Sequence, residues 1–405
     1  MSTQHTLPKL ARRTGNISPF QVMELVKQAA ALEAQGAPII HMSIGEPDFT
    51  APPKVLEALA KAAQAPKTQY TAAVGIAPLR AAIAKYYADE YGLKIAPSRI
   101  IVTAGASAAL TLACCALVNP GDEVLLTDPS YPCNRHFIAA FDGLPKLVAV
   151  GPETRFQMTR DLLLAHWTDR TRGTLLATPA NPTGTSIPFE ELRAIVEAVR
   201  ERGGFTIVDE IYLGLSYANE QGMEAKVRSA LELGDDIIIT NSFSKFFHMT
   251  GWRLGWLVVP EGLGATFEKL AQNLFICASA LAQYSALVCF EPENMAIYKQ
   301  RRAIFDERRR YIVGAVRSLG FDVPVEPDGA FYVYLDCAAL CAKLRVTGST
   351  QLAQKLLIEA NVCLVPGTDF GSNQPERYMR LSYATELGQM KEAVRRIAEL
   401  IQRAA

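Results

Sequence analysis

FTIVDEIY at residues 205–212 and DIIITNSFSK at residues 236–245 share one design: a short, nearly unbroken apolar run followed at once by polar, chemically capable side chains. A strand apolar on successive residues has both faces covered, the condition of a parallel sheet held between helices. The same texture recurs outward, in IIVT at 100–103, EVLLT at 123–127, KLVAV at 146–150, TLLAT at 174–178 and LGWLVV at 254–259. Helical stretches separate these runs from about residue 54 to residue 260. The alternation predicts an α/β fold: a large domain with a mostly parallel sheet covered by helices on both faces. Ligands of such sheets bind beyond the carboxyl ends of the strands, so the residues just after each run are the candidate site.

Upstream of this region, Ser18-Pro19 opens a helical pattern that closes at Gly36, with a hydroxyl at the cap and proline in the first turn. The segment SIGEPDFTAPP, residues 43–53, is too rich in glycine and proline for a regular element and is a candidate site loop. Past residue 290 a long charged helix is expected from Tyr298 to Leu319, then strands, then a closing helix. In that last helix Leu387, Met390, Val394, Ile397 and Ile401 recur at three-to-four spacing and mark one apolar face. A second, smaller α+β domain is the reading. The apolar stretch Leu274 to Phe290 is interrupted by Ser279, Gln283 and Ser285, and is expected as a buried helix rather than a membrane span.

Composition narrows the partners. The chain has 405 residues, 49% apolar, with Lys+Arg and Asp+Glu at 41 each, so its formal net charge is zero. It lacks the basic footprint that nucleic acid or an anionic membrane surface requires. Eight cysteines without a CxxC motif make no disulfide scaffold and read as mostly buried, reduced and cytoplasmic. The histidines, His5, His41, His136, His166 and His248, are scattered, which argues against a structural metal site. The first residues, MSTQHTLPKLARR, have no apolar core of a secretory signal.

Several of the strand-end motifs carry chemistry, and each also has a plain reading as a cap or a turn. Ser242-Phe243-Ser244-Lys245 offers two hydroxyls and an amine in one tight turn, able to hold a phosphate and supply a nucleophile. Asp209-Glu210-Ile211-Tyr212 brings a carboxylate and a phenol to the sheet edge. Asn181-Pro182-Thr183-Gly184 follows another strand, and Gly105-Ala106-Ser107 begins a helix whose amides suit an anion. In Gly251-Trp252-Arg253-Leu254-Gly255-Trp256 an arginine lies between glycines that permit close backbone approach.

The order of these motifs, with Asp128-Pro129-Ser130-Tyr131-Pro132 and Arg380-Leu381-Ser382 in their places, resembles the class I and II aminotransferases, pyridoxal-phosphate enzymes of fold type I. The resemblance runs from SIGEPDF at 43–49 to Arg380. It implies residues 1–50 as an arm and part of the small domain, 51–293 as the large cofactor-binding domain and 294–405 as the small domain. The implied cofactor is pyridoxal 5'-phosphate. Lys245 matches the Schiff-base lysine that also moves the substrate proton, Asp209 the carboxylate beneath the pyridine nitrogen, and Tyr131 the stacking aromatic. Tyr212 and Asn181 match the groups on the phenolic oxygen, and Ala106, Ser107, Ser242, Ser244 and Arg253 match the phosphate cup. Arg380 matches the arginine that grips the substrate α-carboxylate, and Gly45 the glycine that closes over it. Tyr70 resembles a tyrosine reaching the phosphate of a neighbouring subunit, which implies a homodimer.

The resemblance thus implies a cytoplasmic enzyme moving an amino group from an amino acid to a 2-oxo acid by a ping-pong route. The rivals are a lyase or synthase of the same fold, because the shared motifs hold the cofactor rather than choose the bond, and a non-catalytic binding module, for which the chain leaves no room for a DNA-binding domain. Some aspartate-using relatives place lysine where this chain has Ser107, so a neutral donor, aliphatic or aromatic, is expected. Arg12, Arg13, Arg135 and His136 remain as alternative cations, and His248 is expected on an exposed loop.

Overall fold

The computed structural model describes residues 8–19, 21–217 and 227–404. His5 and the start of the arm lie outside them. The strands are β1 (Ile40–His41), β2 (Ile100–Thr103), β3 (Glu123–Asp128), β4 (Leu144–Ala149), β5 (Thr171–Ala177), β6 (Phe205–Asp209), β7 (Ile238–Ser242), β8 (Gly255–Val258), β9 (Tyr332–Asp336), β10 (Val362–Cys363), β11 (Val365–Pro366) and β12 (Tyr378–Ser382).

Seven of them form one sheet in the order β2-β8-β7-β6-β5-β3-β4. Successive residues of each central strand face opposite cores. Leu175, Ile207, Ile238 and Leu257 pack with Leu110, Ala113 and Phe267 on one side. Leu176, Val208, Ile239 and Val258 pack with Leu79, Ile195 and Val196 on the other. Two buried faces are why the runs carry no polar alternation.

All pairings are parallel except those of β8, which runs antiparallel to both β2 and β7. This reversal matters for the site. Ser242 at the end of β7 and Thr103 at the end of β2 both pair with Gly255, the first residue of β8. The turn before β8, with Arg253, therefore emerges at the same sheet edge as the ends of β2, β3, β5, β6 and β7.

A 27-residue helix, Pro292–Ser318, leads into a second sheet of antiparallel order β11-β12-β9. Strand β1 pairs with β10, and Met42 accepts from the Ser382 amide, so the segment after His41 hangs from this smaller sheet. Two sequence expectations are corrected here. The stretch 274–290 is not one helix: a helix ends at Leu274, Phe275 and Ile276 are partly exposed, and a new helix covers Ala280–Ala286. Ile276 has a positive φ of 66°, which breaks the helical path. The first helix spans Gln21–Glu33, with Gly36 at φ 92° in the turn beyond it. Among the described residues no helix is long and apolar enough to cross a membrane.

Candidate active site

A cavity of about 400 Å³ lies where the large sheet's carboxyl edge meets the loop 43–49 and the small sheet. Of the residues singled out from sequence, Gly45, Ala106, Ser107, Tyr131, Asn181, Asp209, Tyr212, Ser244, Lys245, Arg253 and Arg380 line it. They come from five strand ends of one sheet, the turn before β8, the small sheet and one loop. Ser242 and Tyr70 do not line it. Ser242 Oγ sits behind the turn, donating to Ser244 Oγ at 2.9 Å and lying 3.1 Å from the Leu254 carbonyl, so it braces Ser244 rather than facing the cavity. Tyr70 is 82% exposed in this single chain.

Asp209 ends β6, the middle strand of the sheet. Its Oδ1 accepts from the Ile211 amide at 3.1 Å, and among the described residues no cation forms an ion pair with it. Burial pushes its carboxyl up to about 7, offset in part by that amide and by Lys245. Lys245 Nζ donates to the Gly45 carbonyl at 2.5 Å. Burial, with the positive fields of Arg380 and Arg253, lowers its amine to about 8 against the opposing pull of Glu46 and Asp209. An amine so placed is partly unprotonated near neutrality, as a nucleophile or base must be.

At one end Ala106 begins the helix Ala106–Leu117, with Gly105 at φ 86° as its cap. A side chain on Gly105 would lie 2.8 Å from the Arg253 guanidinium, and one on Gly255 would lie 3.0 Å from the Ala106 amide nitrogen. Glycine at both positions lets an arginine, a helix N-terminus and the Ser244 hydroxyl close on one spot, a geometry suited to a phosphate.

At the other end Arg380, on β12, is buried and has no carboxylate partner among the described residues. Its Nη1 donates to Asn181 Oδ1 at 3.0 Å and its Nη2 to the Ser43 carbonyl, while its Nε has no partner. A buried, unneutralised guanidinium with donors to spare is an anion site. The loop that supplies Ser43 and Gly45 is tied down by Asp48, which takes two bonds from Arg308 of the long helix, both at 2.8 Å.

Sequence reasoning missed Tyr332 and the apolar wall formed by Val22, Met23, Val26 and Ile44. Nothing in GAFYVYLD, residues 329–336, distinguishes Tyr332 from core strand residues. Tyr332 Oη lies 2.8 Å from Tyr212 Oη, and a side chain on Gly45 would collide with it at 2.5 Å. His248 is a correction: it is buried, not on an exposed loop, packed at 5.5 Å from Phe49 and 5.7 Å from Tyr298. Among the described residues neither of its ring nitrogens has a partner, and burial lowers its imidazole to about 3. None of Arg12, Arg13, Arg135 and His136 lines the cavity. Arg13 pairs with Asp142 at 3.2 Å, and Arg135 bonds the Asp369 carbonyl at 3.3 Å.

The family model of class I and II aminotransferases matches residues 37–397. A valine–pyruvate aminotransferase of Mycobacterium tuberculosis is 36% identical over 389 residues, covering 96% of this chain and 97% of that protein. An aminotransferase structure from Mycobacterium tuberculosis gives a TM-score of 0.92 at 35% identity, covering 98% of this chain and 100% of that one. The structure of aspartate aminotransferase from Thermus thermophilus with maleate gives 0.89 at 30% identity, covering 97% and 100%. The match runs through the large sheet, the loop over the cavity and the small sheet alike, and the chain belongs to the class I and II aminotransferase family: it is a transaminase.

Proposed function

We propose that this transaminase binds pyridoxal 5'-phosphate through Lys245 and moves the amino group of a neutral amino acid, aliphatic or aromatic, to a 2-oxo acid in two half-reactions. The observation that carries the reading is a single cavity holding an amine lowered to about 8, a buried carboxylate and, at opposite ends, two arginines, with no ion pair to that carboxylate and no carboxylate partner for either arginine among the described residues. The residues fit the cofactor. The glycine-lined cradle at Ala106, Ser244 and Arg253 suits its phosphate, Asp209 suits a protonated ring nitrogen, and Tyr131 offers a ring for stacking. When bound, the cofactor supplies the aldehyde that takes up the amino group and the electron-withdrawing ring that makes a substrate carbon acidic.

The chain's own residues do the rest. Arg380 receives the substrate carboxylate on its guanidinium fork, and this fixes the direction of the Cα–H bond toward the large sheet. Lys245 Nζ takes that proton and returns it. Asn181, whose Oδ1 is held by Arg380, has its amide hydrogens left to donate into the cavity. Loop 43–49 and the first helix narrow the access of water. Val22, Met23, Val26 and Ile44 form an apolar wall, and the lining cations are Lys245, Arg253 and Arg380, each with a role already named. A second substrate carboxylate would thus be buried without a partner from this chain, at a cost of several kcal/mol. Exposed Tyr70, with Leu274, Phe275 and Ile276 on the surface, supports a homodimer in which a second copy brings Tyr70 to the phosphate end. Eight free cysteines support a reducing, cytoplasmic setting.

The test reconstitutes the protein with pyridoxal 5'-phosphate, reduces it with borohydride and maps the labelled peptide. Label on Lys245 is expected; label on another lysine overturns the assignment. The loaded enzyme is then given alanine, methionine, phenylalanine or aspartate without an acceptor. Release of one equivalent of the matching 2-oxo acid, fastest for a neutral donor, is expected. Preference for aspartate refutes the neutral donor, and catalytic release of ammonia favours a lyase.

A further inference from the structure

Tyr332 opens β9 and is buried, and three features of the cavity converge on it. Its Oη meets Tyr212 Oη at 2.8 Å. Its ring carries the Arg380 guanidinium at 4.6 Å. Its hydroxyl occupies the space in which Gly45 would bear a side chain, beside the carbonyl that accepts from Lys245. Among the described residues Tyr212 is the hydrogen-bond partner of that hydroxyl, and no second one is present.

Two facing hydroxyls have two protons for one shared hydrogen bond, so its direction depends on where the other proton goes. If Tyr212 donated to Tyr332, the Tyr332 proton would be buried without an acceptor, which is unfavourable. If Tyr332 donates to Tyr212, the Tyr212 proton faces the cavity, where an anionic oxygen of a ligand can accept it. Burial raises both phenols, so both keep their protons. The cation on the Tyr332 ring favours the second direction, because it draws charge from the phenol and strengthens it as a donor.

We propose that Tyr332 is a positioning residue that turns the Tyr212 proton toward the phenolic oxygen of the bound cofactor and ties the strength of that donation to the charge on Arg380. The inference rests on the cofactor binding at Lys245 proposed above. A substrate carboxylate on Arg380 offsets the cation and weakens the chain of donation, so events at the carboxylate end are felt at the cofactor oxygen about two side chains away. Weaker donation leaves that oxygen's negative charge less stabilised, and the nitrogen joining Lys245 to the cofactor keeps its proton to higher pH. The titratable and charged groups around Tyr332 are Tyr212 and Tyr131 from the large sheet's edge, Arg380 from β12, and Lys245 and Asp209 across the cavity.

The test compares wild type, Tyr332→Phe, Tyr212→Phe and the double variant, each reconstituted with pyridoxal 5'-phosphate and trapped at Lys245 by borohydride to establish seating. The pH midpoint of the lysine-bound cofactor's absorbance is then measured with and without 3-phenylpropionate, a carboxylate that has no amino group to transfer. Tyr332→Phe should raise the midpoint, a roughly 3- to 10-fold gain in proton affinity. In the Tyr212→Phe background the same change should add nothing, and 3-phenylpropionate should shift wild type more than Tyr332→Phe. A Tyr332→Phe protein trapped at Lys245 with the wild-type midpoint overturns the inference, as does an equal shift added on top of Tyr212→Phe. Wild type that cannot be trapped at Lys245 sinks the cofactor reading itself and this inference with it.

Discussion

Asp209→Asn separates what the carboxylate contributes to the cofactor from what it costs the fold. In the cofactor-free protein Asp209 is buried at the centre of the sheet with one amide hydrogen bond at 3.1 Å, and its carboxyl is pushed up to about 7. In an unfolded chain it titrates near 3.9. Between those values the folded protein holds a proton that the unfolded chain has lost, so stability falls as pH rises through that window. At about 1.4 kcal/mol per pH unit over roughly three units, the loss approaches a ceiling of about 4 kcal/mol by pH 8. Asparagine keeps the shape and removes the charge. Cofactor-free Asp209→Asn should match wild type near pH 4 and exceed its stability at pH 8 by roughly 2–4 kcal/mol. On the cofactor reading proposed above the effect on activity is the opposite: the variant lacks a negative charge beneath the ring nitrogen, and its half-reaction should slow by about a hundredfold or more. Urea unfolding of both cofactor-free proteins at acid and alkaline pH, with stopped-flow half-reactions after reconstitution, measures the two effects. A stability difference that does not change with pH, or wild-type half-reaction rates, refutes the reasoning.

Ser107→Lys places a cation on the cavity wall and should raise the ratio of kcat/KM for aspartate over methionine by about tenfold or more; a ratio that does not move means the side-chain carboxylate is recognised elsewhere. His248→Phe removes two unpartnered ring nitrogens from an aromatic pocket. Since the imidazole stays neutral down to about pH 3, the variant should keep the wild-type pH–rate profile and an equal or higher Tm, and a lost alkaline or acid limb would assign the histidine a proton-transfer role. Gly371→Ala would drive a methyl into Asp128 Oδ1, whose carboxylate accepts from the Ser372 amide and hydroxyl and the Asn373 amide across the two sheets. A loss of about 2–4 kcal/mol and a raised KM are expected, read from thermal unfolding and steady-state kinetics, and a wild-type Tm would show that the clasp yields without penalty.

The large sheet was legible in advance because its central strands carry apolar runs on successive residues, and covered faces leave that mark on the sequence whatever lies around them. The strand-end groups were legible for a related reason. A parallel sheet delivers all its carboxyl edges to one side, so Asp209, Lys245, Asn181 and Ser107 meet without any further information. Even the arginine of the reversed strand β8 follows the rule, since its amino end coincides with the others' carboxyl ends. Local signals failed where chain direction depends on one residue, as at Ile276, and where burial depends on distant elements, as at His248, which sits among Phe49, Tyr298 and Phe305.

By itself, then, the order of residues determined the sheet, the helices on its faces and the chemical groups at its edge, because strand formation and the side to which a strand end points are set within a few residues of chain. Only the tertiary structure decided that Ser242 braces Ser244 from behind, that the first helix supplies an apolar wall, and that Tyr332 stands between Tyr212, Gly45 and Arg380. Those four residues come from a loop, the large sheet's edge and two strands of the small sheet. Their meeting depends on the register of β12 against β9 and on how β1 hangs the loop beside them, and such packing between separate sheets leaves no periodic trace in the sequence.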